Sequence, residues 1–453
     1  MKTLSLYNSL SNKLDEFRPI DQDHVKMYAC GPTVYASPHI GNARPLVVID
    51  VLFRLLQKLY KKVSYVRNVT DVDDKINNKA KELGISIRQL TDSVLDEFHR
   101  NIELLNILPT TVEPRATFHI QEMLQFIQVL IDKGFAYQAE GHVLFRVKAL
   151  HQYGMLSKRS VEEMIPGSRV EIASYKEDPL DFVLWKPSKD GEPAWESQFG
   201  AGRPGWHIEC SVMSSKYLGE SFDIHAGGQD LIFPHHENEI AQNYGAFGCL
   251  MANYWIHNGM LLVDNQKMSK SLGNIISLDD ILKIHDGEIV RYALLSTHYQ
   301  KTLNWTDQLV SQAKHALNRM YGALALRKNE IETTAPDSVI DALCSNLNTP
   351  LALSQLGQIA DQIYKSQDQN EIDQLCAQLK AGATLLGLLQ RTNWFKQSLE
   401  ISEEEIEQLI SERNEAKKNK DYAKADEIRN YLLSKHIKIE DTKTGTTWKS
   451  EIN

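Results

Sequence analysis

The sequence predicts an α/β protein: a doubly wound parallel-sheet domain with an insertion, then a helical bundle and a small C-terminal α/β unit. Three observations predict it. The first hundred residues alternate strand and helix, with a glycine turn between the first pair. Nucleotide-type motifs pause at about residue 115 and resume after Arg203. Beyond about residue 305, Gly and Pro thin out and helical periodicity takes over. The expected boundaries are 1–305 for the sheet domain with its insertion at about 115–200, 306–395 for the helical region and 396–453 for the C-terminal unit.

Val25 to Ala29 reads as the first strand and runs into the turn Cys30-Gly31-Pro32. A helix begins near Gly41, with Leu46, Val47, Ile49, Val51, Leu52, Leu55 and Leu56 on a broad apolar face. Ser64 to Asn68 is a second strand, followed by the acidic run Thr70-Asp71-Val72-Asp73-Asp74. In the insertion a helix is expected over Phe118 to Lys133, with strands at His142 to Val147 and Asp181 to Lys186. Ser402 to Ser434 reads as one charged helix, and strand-like Ile437 to Ile439 and Gly445 to Trp448 follow.

At 453 residues, with 42% hydrophobic and 24% charged residues, the composition is that of an ordinary soluble protein of several domains. A net charge of −9 argues against an indiscriminate polyanion binder, while leaving room for a selective RNA partner held by local basic patches. Five scattered cysteines do not make a secreted disulfide scaffold, and no early stretch is apolar enough for a signal core or a membrane span. A cytoplasmic protein without membrane attachment is expected.

Pro38-His39-Ile40-Gly41-Asn42 sits where a strand gives way to a helix. Gly41 lets a nucleotide approach the backbone, the helix N–H groups are anion donors, and His39 and Asn42, three apart, share a side. Lys267-Met268-Ser269-Lys270-Ser271 suits a loop that closes on phosphates, with Lys270 the preferred contact and Lys267 its support. Either segment alone reads equally as a capped helix start or a solvated lysine pair.

His235 and Glu239, four apart at an expected helix start, can share one metal ion; His236 with Glu239 is a poorer pair. Cys30 and Cys210 would complete a borderline-soft set that favours zinc, although either cysteine alone is more often a small buried hydrophobe. Spacing does not show that these segments meet.

The pair His39-Ile-Gly-Asn42 and Lys267-Met-Ser-Lys-Ser271 resembles the two signatures of class I aminoacyl-tRNA synthetases, with Asn42 standing where the first motif often has histidine. Tyr28-Ala-Cys30-Gly-Pro-Thr-Val-Tyr35, Arg67-Asn-Val-Thr-Asp-Val-Asp-Asp-Lys75, Gly205-Trp-His-Ile-Glu-Cys210 and Phe233-Pro-His-His-Glu-Asn-Glu239 are similar to the cysteinyl-tRNA synthetase family. The resemblance implies a Rossmann-like catalytic domain and zinc ligands at Cys30, Cys210, His235 and Glu239. It also implies the substrates L-cysteine, ATP with Mg²⁺ and tRNA(Cys), and an anticodon-binding end; a monomer is expected. Thr70 and Trp206 are expected at the amino acid, and His225 and Asp230 at the adenosine. Asn348-Thr349-Pro350 resembles the family's helical domain. Lys417, Lys418, Lys420 and Lys424 are candidate RNA-backbone contacts, and Trp448 a base-stacking surface, although alternating charges usually mark a solvated helix. Rival readings are a ligase joining cysteine to a sugar amine, a non-catalytic RNA binder, and a zinc hydrolase using Glu237 or Glu239 as base.

Overall fold

The computed structural model describes residues 2–159, 161–164, 173–269, 271–395, 403–435, 437–442 and 445–450. They form two compact units, Met1–Leu388 and Leu389–Asn453.

The centre of the first unit is a four-stranded parallel sheet in the order Ala252–Asn258, Phe222–Gly228, His24–Ala29, Lys62–Arg67. In register, Tyr28 lies opposite His225 and Val66, and His225 opposite Trp255. All four strands therefore end at one edge, the place where open α/β sheets bind ligands. Cys30, Asn68 and Thr70 follow directly from two of those ends, and Asn258 closes a third.

The helix Ile40–Leu59 returns the chain from the first strand to the edge strand, burying Leu46, Val47, Ile49, Val51, Leu52, Leu55 and Leu56 as the periodicity predicts. It also buries Asp50, which accepts from Arg54 (2.7 Å) and pairs with Arg291; burial of these charges is tolerable because each has a partner. Arg291 also donates to the carbonyls of Leu105 (3.0 Å) and Leu386 (2.5 Å), fastening the helices Ile87–Leu104, Gly287–Leu295 and Gln369–Leu385 around the sheet domain. Asn348 caps the helix Thr349–Lys365, with Pro350 in its first turn.

The insertion carries its own antiparallel sheet, Ala136–Ala139, His142–Phe145, Phe182–Pro187 and Gly202–Pro204, behind the helix Ile120–Asp132. Two of its cations, Lys186 (2.7 Å) and Arg203 (2.8 Å), reach Asp74 and hold the acidic run after Thr70 in place.

In the second unit the single helix expected over Ser402 to Ser434 is two helices, Glu403–Lys418 and Tyr422–Ser434. Lys420 turns the chain at φ +60°, and Asp421 accepts from the Lys424 N–H, starting a new helix. The hairpin Ile437–Thr442 with Gly445–Ser450 packs Ile437 and Ile439 against Ile406, Ile410, Ile428 and Leu432. Among the described residues no helix is long and apolar enough to cross a membrane.

Candidate active site and metal centre

A cavity of about 510 Å³ opens at the carboxyl edge of the sheet. At one end Cys30, Asn68, Thr70, Trp206, Cys210 and His235 line it; at the other, His39, Gly41, Asn42, Asp230, Asn258 and Met268.

The first end brings together four residues from three distant segments. One ligand atom each from Cys30, Cys210, His235 and Glu239 lies within 4.8 Å of the others. The two sulfurs are 3.6 Å apart, Cys30 Sγ is 3.4 Å from Glu239 Oε1, and His235 Nε2 is 2.8 Å from the same oxygen. His235 belongs to the tight turn Ile232–His236 and Glu239 to the first turn of the helix Glu237–Phe247, so four-residue spacing puts both on one side. Cys210 lies in the helix Trp206–Leu218. This set of donors can hold a metal ion.

A second combination, Cys30, His225, His236 and Glu239, satisfies the same distance criterion. It turns away from the cavity: Cys30, Cys210 and His235 are lining residues, whereas His225 and His236 are fully buried behind them. His225 Nε2 lies 2.7 Å from Glu239 Oε2, and His236 contacts Cys30 Sγ (3.3 Å) and His257 (2.8 Å). Both are thus backing for the first set.

The electrostatics fit a cation. Burial acts against its charge, yet His225 and His235 hold the Glu239 carboxyl well below the ordinary range. The neighbouring Cys30 thiol brings Cys210 down to about 6, against burial and with help from His235. Burial, then the proximity of Cys210 and Glu239, pushes Cys30 well up. Burial opposes the charge on His235, but Glu239 and Cys210 outweigh it and raise it to about 10. Without a metal the cluster thus holds protons on His235 and Cys30 that a metal would displace.

At the other end His39 caps the helix Ile40–Leu59, and the Asn42 side chain turns back to accept from the His39 N–H (3.0 Å). Asn42 therefore spends its oxygen on the backbone, while His39 keeps Nδ1 without a partner among the described residues. A backbone bridge joins His39 to Ser277, with Ile40 N–H donating to Ile276 O (3.0 Å) and Leu278 N–H to Pro38 O (2.9 Å). Asn274 in turn accepts from Ser269 N–H (2.9 Å). The two phosphate-type motifs, distant in sequence, are by this route neighbours in space. A Cβ on Gly41 would stand 2.7 Å from Met268 Cε, the tip of a flexible side chain in the second motif, so the two motifs meet at this glycine. Lys267 is exposed, and Lys270 lies outside the described residues.

Some expected roles change. His225, expected at the adenosine, is no cavity residue: it sits mid-strand with both faces covered and is committed to Glu239. Asp230 does line the cavity, with His39 and Asn42. Trp206, expected at the amino acid, keeps its place in the cavity wall: it is 40% exposed and stacks on His235 at 4.2 Å between ring centres. Glu237, weighed as a hydrolytic base, accepts instead from the backbone N–H groups of Gly154 (3.0 Å), Leu156 (3.1 Å) and Ser157 (2.7 Å), which leaves it no role as a base. In the second unit Lys417 pairs with Asp441 (2.6 Å), and Trp448 packs on the apolar cluster and donates to Glu407 (2.8 Å); Lys418, Lys420 and Lys424 are exposed.

Other residues of the site escaped the sequence reading. His207, kept neutral by burial, faces His235 Nδ1 at 2.9 Å and leaves Nε2 of His235 free for a metal. Asn68 and Glu209 flank Thr70. His207 and Glu209 were visible as polar neighbours of Cys210 in one short motif, and Asn68 as a neighbour of Thr70 in another; His257 carried no comparable signal.

The family model for the tRNA synthetases class I (C) catalytic domain matches residues 16–315. A cysteine–tRNA ligase of Paramagnetospirillum magneticum is 52% identical over 98% of this chain and 99% of its own length. One of Rhodospirillum rubrum is 48% identical over 99% of each chain. A Mycobacterium tuberculosis methionyl-tRNA synthetase bound by methionyl-adenylate shares the fold at 16% identity, with a TM-score of 0.56 over 80% of this chain and 90% of that one. With so close a match along nearly its whole length, the chain belongs to the cysteine–tRNA ligase family of class I aminoacyl-tRNA synthetases.

Proposed function

We propose that the chain activates L-cysteine with ATP–Mg²⁺ to cysteinyl-adenylate and transfers the acyl group to tRNA(Cys), with a zinc ion held by Cys30, Cys210, His235 and Glu239. The observation that carries this reading is the convergence of those four ligand atoms on the cavity that also contains the His39–Asn42 motif. Zinc bond lengths in a tetrahedron put sulfurs about 3.8 Å apart and sulfur about 3.6 Å from a carboxylate oxygen. The observed 3.6 Å and 3.4 Å are close to those edges. Two thiolates with an imidazole favour zinc over magnesium or calcium.

When bound, zinc supplies a soft electrophilic site that ionises and holds a thiol and matches a serine hydroxyl poorly. A purely apolar pocket would separate such similar side chains by only about 1–3 kcal/mol. Trp206, stacked on His235, walls the amino-acid end. His39, whose Nδ1 has no partner among the described residues, and the first N–H groups of the helix Ile40–Leu59 face the triphosphate. Asn42 acts through the backbone by fixing that helix start. Asp230 lies at the adenosine end, and Lys267 and Lys270 neutralise charge that develops on the phosphates. Cysteine carboxylate attacks the α-phosphorus, pyrophosphate leaves, and the terminal ribose hydroxyl of the tRNA then displaces AMP. Lys418, Lys420 and Lys424 in the second unit are the RNA-backbone contacts of this reading, and the active form is a cytoplasmic monomer. The sugar-amine ligase remains the nearest rival, and charging of tRNA with labelled cysteine separates the two.

Cysteine-dependent ATP–pyrophosphate exchange, with serine as competitor, tests the proposal on the intact chain and on Cys210→Ser. Outer-sphere partners of a metal are worth about 10–100-fold, so losing a ligand should cost more than about 100-fold in kcat/KM for cysteine. Unchanged preference for cysteine in Cys210→Ser would overturn the zinc reading.

A further inference from the structure

We infer that Lys75 and Tyr35 form the seat of the RNA's terminal nucleotide, the Lys75 ammonium pairing with its phosphodiester and the Tyr35 ring packing on its base. The inference rests on the proposed transfer step and adds the residues that bring the third reactant to it.

Lys75 is the only lysine or arginine among the described residues lining the cavity, and it is exposed. Three carboxylates precede it closely, yet each is engaged elsewhere. Asp71 accepts from the Thr117 N–H (2.9 Å) and pairs with Arg115 (3.3 Å). Asp73 caps the helix Asp74–Leu83 by accepting from the Lys75 N–H (2.7 Å). Asp74 is held by Lys186 (2.7 Å) and Arg203 (2.8 Å) of the insertion. The Lys75 ammonium lies instead 5.5 Å from the centre of the Tyr35 ring, a half-buried side chain that also lines the cavity. The segments carrying the two are fixed to each other by backbone. A bridge joins Thr33 to Thr70, with Val34 N–H donating to Thr70 O (3.1 Å) and Thr70 N–H to Pro32 O (3.0 Å). A cation without a counter-ion is thus held beside an aromatic ring at the cavity wall.

The order of the reaction makes the ligand RNA. Cysteine fills the metal end and ATP the nucleotide end before transfer begins. The terminal ribose must then reach an acyl carbon between the two, and the nucleotide that carries it brings a phosphodiester charge with it. That charge calls for a cation outside the two filled ends and open to solvent. Lys75 meets both conditions: Tyr35 is separated from the helix start at His39 by exposed Ala36 and Ser37, and Lys75 is itself exposed. A lysine meets phosphate as a point charge, and an aromatic face beside it accepts any base by stacking. The pair therefore positions a strand end without reading its sequence.

Two measurements on the zinc-loaded full chain separate the steps. Cysteine-dependent ATP–pyrophosphate exchange reports the first, which involves no RNA. Single-turnover transfer from preformed cysteinyl-adenylate to subsaturating tRNA(Cys) reports the second. Lys75→Met keeps the apolar stem and removes the charge; it should slow transfer by about tenfold or more and leave exchange within about twofold. The slope of log transfer rate against log salt should become shallower by about 0.7, the share of one phosphate on a single strand. Lys75→Arg should restore transfer to within about threefold of the unaltered chain, and Tyr35→Leu should slow it by about fivefold or more. Undiminished transfer in Lys75→Met, or an equal fall in exchange, would overturn the inference while the unaltered chain still charges tRNA(Cys). An unaltered chain that exchanges but charges no tRNA would strike at the transfer reading itself, and the inference would fall with it.

Discussion

The two ends of the cavity are built on opposite plans. At the end holding the cysteine cluster three of the four donors are backed: Glu239 by His225, His235 by His207, and Cys30 by His236, which is held in turn by His257 and, through it, Ser9. These groups are buried or half-buried, and each contact fixes the next. At the nucleotide end His39 and Asn42 are held by one backbone bridge and one helix cap, and Lys267 stands in solvent. On the proposed function, the difference follows from the two tasks. Distinguishing sulfur from oxygen needs ligands fixed before the substrate arrives, because any reorganisation lowers the discrimination. A triphosphate carries its own large charge and can be gathered by a few cations and a helix start.

The contrast can be broken at either end. The larger effect is expected at the metal end, although the residue changed is no ligand. His207→Ala frees the His235 ring and should weaken zinc affinity by about 10–100-fold, measured by competition with a chromophoric chelator. Excess zinc should restore exchange activity. A variant with unchanged zinc affinity would show that the backing is packing alone. The smaller effect is expected at the nucleotide end. Asn42→Ala removes the side-chain oxygen that accepts from the His39 N–H and should cost about 0.5–1 kcal/mol of stability, read from denaturant midpoints, with zinc content unaltered. A loss of zinc in Asn42→Ala would mean that the two ends are not independently built.

Much of this was legible in the sequence, and the exceptions have physical causes. The opening strand and the helix Ile40–Leu59 were legible from their apolar residues, although the helix is buried on all sides from Leu46 to Leu56, Asp50 and Arg54 included. The His235–Glu239 pair was legible as helical spacing, since local geometry alone brings the two together. The approach of Cys30 to Cys210 was not, because register between two strands and the placement of a third segment decide it. His225 misled for a related reason. It neighbours a glycine pair of nucleotide-binding character, but it lies one step further back in the strand, where its ring is committed to Glu239 and does not reach the cavity. The C-terminal helix was read too long because Lys420 and Asp421 break it without glycine or proline.

The central claim is that a thiol substrate meets a metal held by Cys30, Cys210, His235 and Glu239. Replacing zinc by cobalt(II) makes that meeting visible as sulfur-to-metal charge-transfer absorption. The account predicts that cysteine intensifies this absorption, that serine at the same concentration leaves it unchanged, and that Cys210→Ser weakens it before any substrate is added. A spectrum indifferent to cysteine, in protein that still holds one cobalt ion at these residues, would contradict it.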